Sequence, residues 1–173
     1  MRLADRVVWI TGASTGIGEA LALAAARADA HLILSARNRE RLAAVRAATP
    51  NPDRVHVLPL DLADHDALPA RAEEALALHG RVDVLVHNAG VGQRSLAAET
   101  ELHVTRRILD VNVLGPIALT RAVLPSMRAR QDGHLVVVSS VLGVIGAKRR
   151  SSYAASKHAL HGYFDSLRAE LAH

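Results

Sequence analysis

Five short apolar runs recur along the chain, each separated from the next by a longer stretch with helical spacing. The runs are "RVVWIT" (6–11), "HLILSA" (31–36), "RVHVLPL" (54–60), "VDVLVHN" (82–88) and "GHLVVVSS" (133–140). The intervening stretches, rich in Ala, Leu, Arg and Glu, cover residues 16–28, 38–48, 64–79, 99–128 and 151–172. Near-continuous apolar runs belong in strands covered on both faces, and strands alternating with helices imply βαβ units and a parallel sheet. Right-handed crossovers make that a doubly wound α/β fold.

A length of 173 residues suits one domain, 1–173, with a sizeable core. Trp9, Tyr153, Tyr163 and Phe164 are the only aromatic residues, so the core must be built from Ala, Val, Leu and Ile. "TPNPDR" (49–54) reads as a turn before the third strand, and Pro116 and Pro125 suggest a kink and a stop in the long fourth helix. Cysteine is absent, which excludes disulfides and thiolate metal sites and suits a reducing, cytoplasmic setting. The first strand is expected to begin at Val7, so no leader or anchor is expected before it. No apolar stretch reaches membrane-spanning length, so no membrane association is expected. The net charge of +4 comes from arginines spread along the chain, without the interleaved aromatics that stack on bases, so nucleic acid is not an expected partner.

The first strand runs into "TGASTGIGEALALAA", with Gly12, Gly16 and Gly18 between strand and helix. The spacing is G-x-x-x-G-x-G rather than the commoner G-x-G-x-x-G. Glycines let backbone approach a pyrophosphate, and a helix N-terminus directs free N–H groups at it. The alternative is a glycine-rich turn that binds nothing. The second strand ends "LILSARNRER", where an acidic residue would grip a ribose 2′-hydroxyl. Ala36 and Arg37 stand there instead, which favours a 2′-phosphate and so NADP(H), unless Arg37 is only solvated.

Further along lie "DL" (61–62), "NAG" (88–90), Asn112, Ser140 and the pair Tyr153 and Lys157 in Y-x-x-x-K spacing. With the glycine turn, in this order, they make the chain resemble the classical short-chain dehydrogenase/reductase family from about residue 6 to residue 173. Within it, "GQRSL" (92–96), "LGPIALTRAVLPSM" (114–127) and "YAASKHALHGYFDSLRAEL" (153–171) look most like the hydroxysteroid-dehydrogenase-like reductases.

The resemblance implies a Rossmann-type sheet of strand order 3-2-1-4-5, without the family's last strands and substrate lid. It implies an NADP(H)-dependent oxidoreductase interconverting a small-molecule carbonyl and an alcohol. Tyr153 would be the general acid/base; a phenol titrates near pH ~10, and a nearby ammonium such as that of Lys157 favours its ionised form. Lys157 would also hold the nicotinamide ribose, Ser140 would orient the substrate oxygen, and Asn112 would hold a water relaying protons to Lys157. Thr11, Gly12, Ser14, Thr15, Gly16, Ile17 and Gly18 would cradle the phosphates. Asp61 and Leu62 would frame the adenine, and Asn88, Ala89 and Gly90 would line the cleft. Adjacent strand residues face opposite sides, so Ser139 is the alternative to Ser140. A homodimer, or a tetramer built on it, is implied through helices 99–128 and 151–172.

Three further features stand apart. His87 occupies a position where the family often has Asn. "KRR" (148–150) should border the substrate cleft, either drawing an acidic substrate or simply solvated. His158 and His161 have the spacing of a metal pair but no third ligand, and no metal is expected. The rival reading is a non-catalytic dinucleotide-binding protein.

Overall fold

The strand residues alternate, and the sheet uses both faces of that alternation. The computed structural model describes residues 2–172. Five parallel strands, β1 (Val7–Thr11), β2 (His31–Ser35), β3 (Val55–Val57), β4 (Val84–His87) and β5 (His134–Val137), lie in the order β3-β2-β1-β4-β5. The register aligns Trp9 with Ile33 and with Leu85. Val8, Ile10, Leu32 and Leu34 face one way, onto Ala22, Ala25 and Ala26 of α1 (Gly16–Arg27) and Leu42 and Val45 of α2 (Arg39–Ala47). Val7, Trp9, Ile33 and Leu85 face the other way, onto Leu68, Ala72 and Ala75 of α3 (Leu68–His79) and onto Leu119, Val123 and Met127. Each buried Val, Leu, Ile or Met among them contributes about 1.5–3 kcal/mol.

The second face also carries one long helical segment: α4 (Leu102–Leu109), a π turn (Asp110–Leu114) and α5 (Gly115–Arg130). The last helix, α6 (Ser151–Glu170), packs on α4 and the π turn. Trp9 is wholly buried, and its Nε1 donates to Ser35 Oγ at 2.8 Å, which in turn donates to Leu58 O at 2.6 Å. That chain of bonds ties β1 and β2 to the residue just past β3 and leaves no buried indole N–H unpaired. At the opposite end of the sheet, the buried Asp83 carboxylate accepts from Val7 N at 2.8 Å and Arg81 Nε at 3.1 Å. Arg6 pairs with Asp132, joining the start of β1 to the turn before β5.

The expected elements all form, with four corrections. β3 ends at Val57 rather than residue 60, and Pro59, just past this edge strand, has its ring N facing away from β2. Leu58 and Leu60 still bond to Leu34 O and Ala36 O, at 3.0 and 3.2 Å. β5 ends at Val137, so Ser140 lies beyond the strand, where it N-caps a 3₁₀ turn (Val141–Gly143). Pro125 does not stop the fourth helix, which runs to Arg130 and ends where Gln131 turns left-handed at φ 52°. Finally, the α4–π–α5 segment is long and apolar enough, by length and composition, to cross a membrane, contrary to the reading of the sequence. Half of its most apolar stretch is buried in protein, against the sheet and α3.

Candidate active site

The turn from β1 into α1 is shaped by what lies behind it. Gly12 has φ +67°, and a Cβ there would fall 2.7 Å from Ala89 Cα. A Cβ on Gly18 would fall 2.2 Å from Gly12 O, so neither position admits a side chain without moving backbone. Gly16, at φ +59°, has open space in front of it. Thr15 makes no side-chain cap to α1, whereas Asn38 Oδ1 accepts from Arg41 N at 2.9 Å to cap α2. The uncapped end of α1 therefore keeps its first-turn N–H groups for an anion, and the glycine backbone lets a phosphate reach them.

Thr11 and Asn88 hold this cradle to the "NAG" loop. Asn88 Nδ2 donates to Thr11 O and Gly12 O at 3.1 and 3.2 Å, while Thr11 Oγ1 accepts from the Asn88 and Ala89 N–H groups at 3.1 and 3.3 Å. These two nominated residues act on the shape of the cleft through bonds to protein. The cleft itself, about 920 Å³, is lined by Thr11, Gly12, Ser14, Thr15, Ile17, Arg37, Asp61, Leu62 and Asn88–Gly90, while Gly16 and Gly18 lie outside its lining. Arg41 and Arg107 line it too and were not anticipated. Asp61 pairs with Arg107 Nη2 at 2.9 Å. Burial pushes the Asp61 carboxyl up, but the Ala63 N–H, Arg107 and Arg37 outweigh that and hold it below the usual carboxylate range. Arg37 thus sits close enough to feel Asp61, at the end of the cleft away from "NAG".

At the other end, Asn112 and Lys157 converge on Gly90. A Cβ on that glycine would lie 3.4 Å from Asn112 Oδ1 and 3.8 Å from Lys157 Nζ. Asn112 belongs to the π turn and is buried. Its amide accepts from Val91 N and donates to Val91 O, both at 2.8 Å, and donates to Ser156 Oγ at 3.0 Å. A π turn in a long helix commonly marks a functional position, and this one lets a single side chain brace two other elements. Lys157 is only 4% exposed and donates to Val138 O at 2.8 Å; burial pushes its pKa below the ordinary lysine value. Its Nζ lies 5.8 Å from the centre of the Tyr153 ring. Ser140 Oγ accepts from Leu142 N at 3.1 Å within the turn that packs against α6. Ser139 instead shares a 2.8 Å hydrogen bond with His161 Nε2.

Gln93 is the residue of this end that the sequence did not reveal. Its Oε1 accepts from Tyr153 N at 3.1 Å, capping the first turn of α6 from a distant loop. Its backbone oxygen accepts from Arg150 Nη1 at 2.9 Å, which turns the third residue of "KRR" inward while Lys148 and Arg149 stay exposed. Gly92 completes the contact: a Cβ there would lie 3.2 Å from Tyr153 Cδ2. A glycine-glutamine pair in a loop carries no periodic signal, and only its approach to α6 gives it a role. His87 is buried, with Nε2 2.8 Å from Thr120 Oγ1 and its ring 5.5 Å from Phe164; burial holds its pKa down to about 3. His158 and His161 go to separate partners, His158 Nδ1 lying 2.9 Å from Ala154 O.

Comparison with known proteins agrees with this geometry. The family model for short chain dehydrogenases matches residues 6–173. The human protein named dehydrogenase/reductase SDR family member 7 is 45% identical over 175 residues, covering 98% of this chain and 52% of the relative. A short-chain dehydrogenase from Streptomyces avermitilis superposes with a TM-score of 0.93 at 40% identity, over 99% of this chain and 62% of the other. A metagenomic short-chain oxidoreductase in complex with NADP gives 0.91 at 35% identity, over 99% and 79%. The chain spans about half the length of the curated relatives it matches. It belongs to the short-chain dehydrogenase/reductase family.

Proposed function

We propose that the protein is an NADP(H)-dependent oxidoreductase that interconverts a carbonyl and an alcohol, with Tyr153 as general acid/base. The observation that carries this reading is the cleft and what stands at its edge. Arg37 and Arg41 line it with the uncapped N-terminus of α1 and Gly90, and Asn112 and Lys157 approach Gly90, with the Tyr153 ring beside Lys157. The dinucleotide, when bound, supplies or accepts the hydride. Arg37, with Arg41 near it, pairs with the 2′-phosphate that Ala36 leaves unopposed. Lys157 holds the ribose, Tyr153 moves the proton to or from the substrate oxygen, and Ser140 orients that oxygen. A structural relative bound to NADP supports the cofactor choice.

Calorimetry tests it. NADPH should bind more than tenfold tighter than NADH, because a charge-assisted contact to phosphate contributes roughly 1.5–3 kcal/mol. Arg37→Ala should erase most of that preference, and equal affinity for the two cofactors in the unsubstituted chain would overturn the assignment. A screen of ketones with NADPH then tests the chemistry.

One observation favours a second reading, a dinucleotide-binding protein without turnover. Val141 and Val144, just past Ser140, are each 72% exposed, so the substrate side of the site is open. Binding without turnover of any carbonyl selects that reading. For assembly, α4–α5 and α6 are the proposed surfaces of a homodimer, and sedimentation showing only monomer at micromolar concentration counts against it.

A further inference from the structure

We infer that His161 is a positioning residue for Ser140, acting through its hydrogen bond to Ser139; the inference deepens the catalytic reading and rests on it for the role of Ser140. Tyr153, Lys157 and His161 are spaced four residues apart and so lie along one face of α6. Two of them grip consecutive residues of the chain leaving β5. Lys157 Nζ donates to Val138 O at 2.8 Å, and His161 Nε2 shares a hydrogen bond with Ser139 Oγ at 2.8 Å. Ser140 follows at once and closes the 3₁₀ turn: its hydroxyl accepts from Leu142 N at 3.1 Å and its carbonyl accepts from Gly143 N at 2.8 Å.

Gly143 joins the turn to the pair beneath it. A Cβ on Gly143 would lie 2.7 Å from Ser139 Oγ and 2.8 Å from His161 Nε2, so the turn folds over the pair as closely as backbone allows. Ser139, the pair's histidine, Ser140 and Gly143 therefore form one unit, and α6 sets where that unit stands relative to Tyr153. The two grips are not equivalent. Lys157 is the residue that has to serve the cofactor, and an ammonium that turns toward a ribose lets go of Val138 O. His161 faces the groove beside β5, away from the dinucleotide cleft, and has no competing partner among the described residues. It is the grip that persists when Lys157 is in use. This also gives Ser139 a role distinct from that of Ser140, as expected of neighbours that face opposite ways.

Amide hydrogen exchange, read by NMR on the unliganded chain, tests the clamp without requiring turnover. The reporters are the Leu142 and Gly143 N–H groups, both bonded to Ser140. His161→Leu should speed their exchange about tenfold, while the N–H of Ala13 beside the phosphate cradle changes less than about twofold. Ser139→Ala should do the same, and the double variant should add nothing beyond either single change. His161→Gln, which keeps a hydrogen-bonding group at similar reach, should restore exchange to within about twofold of the unsubstituted chain. In a chain that reduces a ketone, His161→Leu should lower kcat with the KM for NADPH unchanged, and His161→Gln should recover most of it. Unchanged exchange at Leu142 and Gly143 in both single variants, or effects that multiply in the double variant, would overturn the clamp. A clamp intact by exchange in a protein that binds NADPH without turnover would count against the catalytic reading alone.

Discussion

β1 and β5 are both short aliphatic strands of one parallel sheet, yet every residue of β1 is buried while β5 alternates between exposed and half-buried. β1 pairs with β2 and β4 and has helices on both faces. β5 pairs only with β4, and beside it runs a groove of about 880 Å³ between α5 and α6, walled by Met127, Leu135, Val137, Leu160 and Phe164. Val136 is 41% exposed as a result. The difference teaches that a strand's burial here depends on its neighbours more than on its own residues. It also divides the molecule: the phosphate cradle sits on the closed centre of the sheet, and Ser140 and Tyr153 sit beside its open margin. An unpaired apolar edge recruits other strands, so the β5 margin is where aggregation, as distinct from the proposed helical dimer, is expected.

The largest expected effect separates the two regions functionally. Where turnover is measurable, Tyr153→Phe should lower it by about 10²–10⁴-fold and leave NADPH affinity within about twofold, because the ring remains and only the acidic proton is lost. Retained turnover would remove the tyrosine from the chemistry. Next, Ile33→Ala in the closed half should cost about 2–5 kcal/mol in urea unfolding, the range for a buried aliphatic truncation. A value under about 1 kcal/mol would mean that the centre is not closed.

Acid sensitivity belongs to the boundary between the regions. His87 holds its pKa at about 3 when folded and regains an ordinary value near 6.5 when unfolded. Between those values the unfolded state binds the extra proton, so stability is full above pH ~6.5 and falls as pH drops, by about 2 kcal/mol at pH 5. His79 adds in the same direction, its pKa lowered by burial and by His56, His31 and Arg81. His87→Asn should flatten the profile between pH 7 and 5 by about 2 kcal/mol; an unchanged slope would show that other groups govern it. The smallest effect sits on the open margin. Val136→Ala should change stability by less than about 0.5 kcal/mol, and Val136→Lys should reduce aggregation in light scattering. A large loss from Val136→Ala would erase the contrast between β1 and β5.

Much of this was legible in one dimension. Strand alternation, helical spacing and the handedness of crossovers lead to a doubly wound parallel sheet, and the family resemblance supplies its order β3-β2-β1-β4-β5. They also bring Gly12, Gly18, Asn88 and Gly90 to neighbouring strand ends. These are short-range requirements: a strand alternates every residue, and a tight turn at φ +67° needs a glycine at Gly12 itself. The sequence by itself therefore determined the element order and the glycine turn that opens α1, and its resemblance to the family supplied the candidate catalytic side chains. The tertiary structure decided who answers to whom: Gln93 to the backbone of Tyr153, Ser139 to His161, Asn112 to Val91 and Ser156, and Arg107 to Asp61. It also decided that Pro125 leaves its helix running and that His87 stays neutral in the interior. Apart from the Pro125 helix, each of these depends on the approach of groups twenty or more residues apart, or on loss of contact with water, and neither quantity exists until the chain has folded.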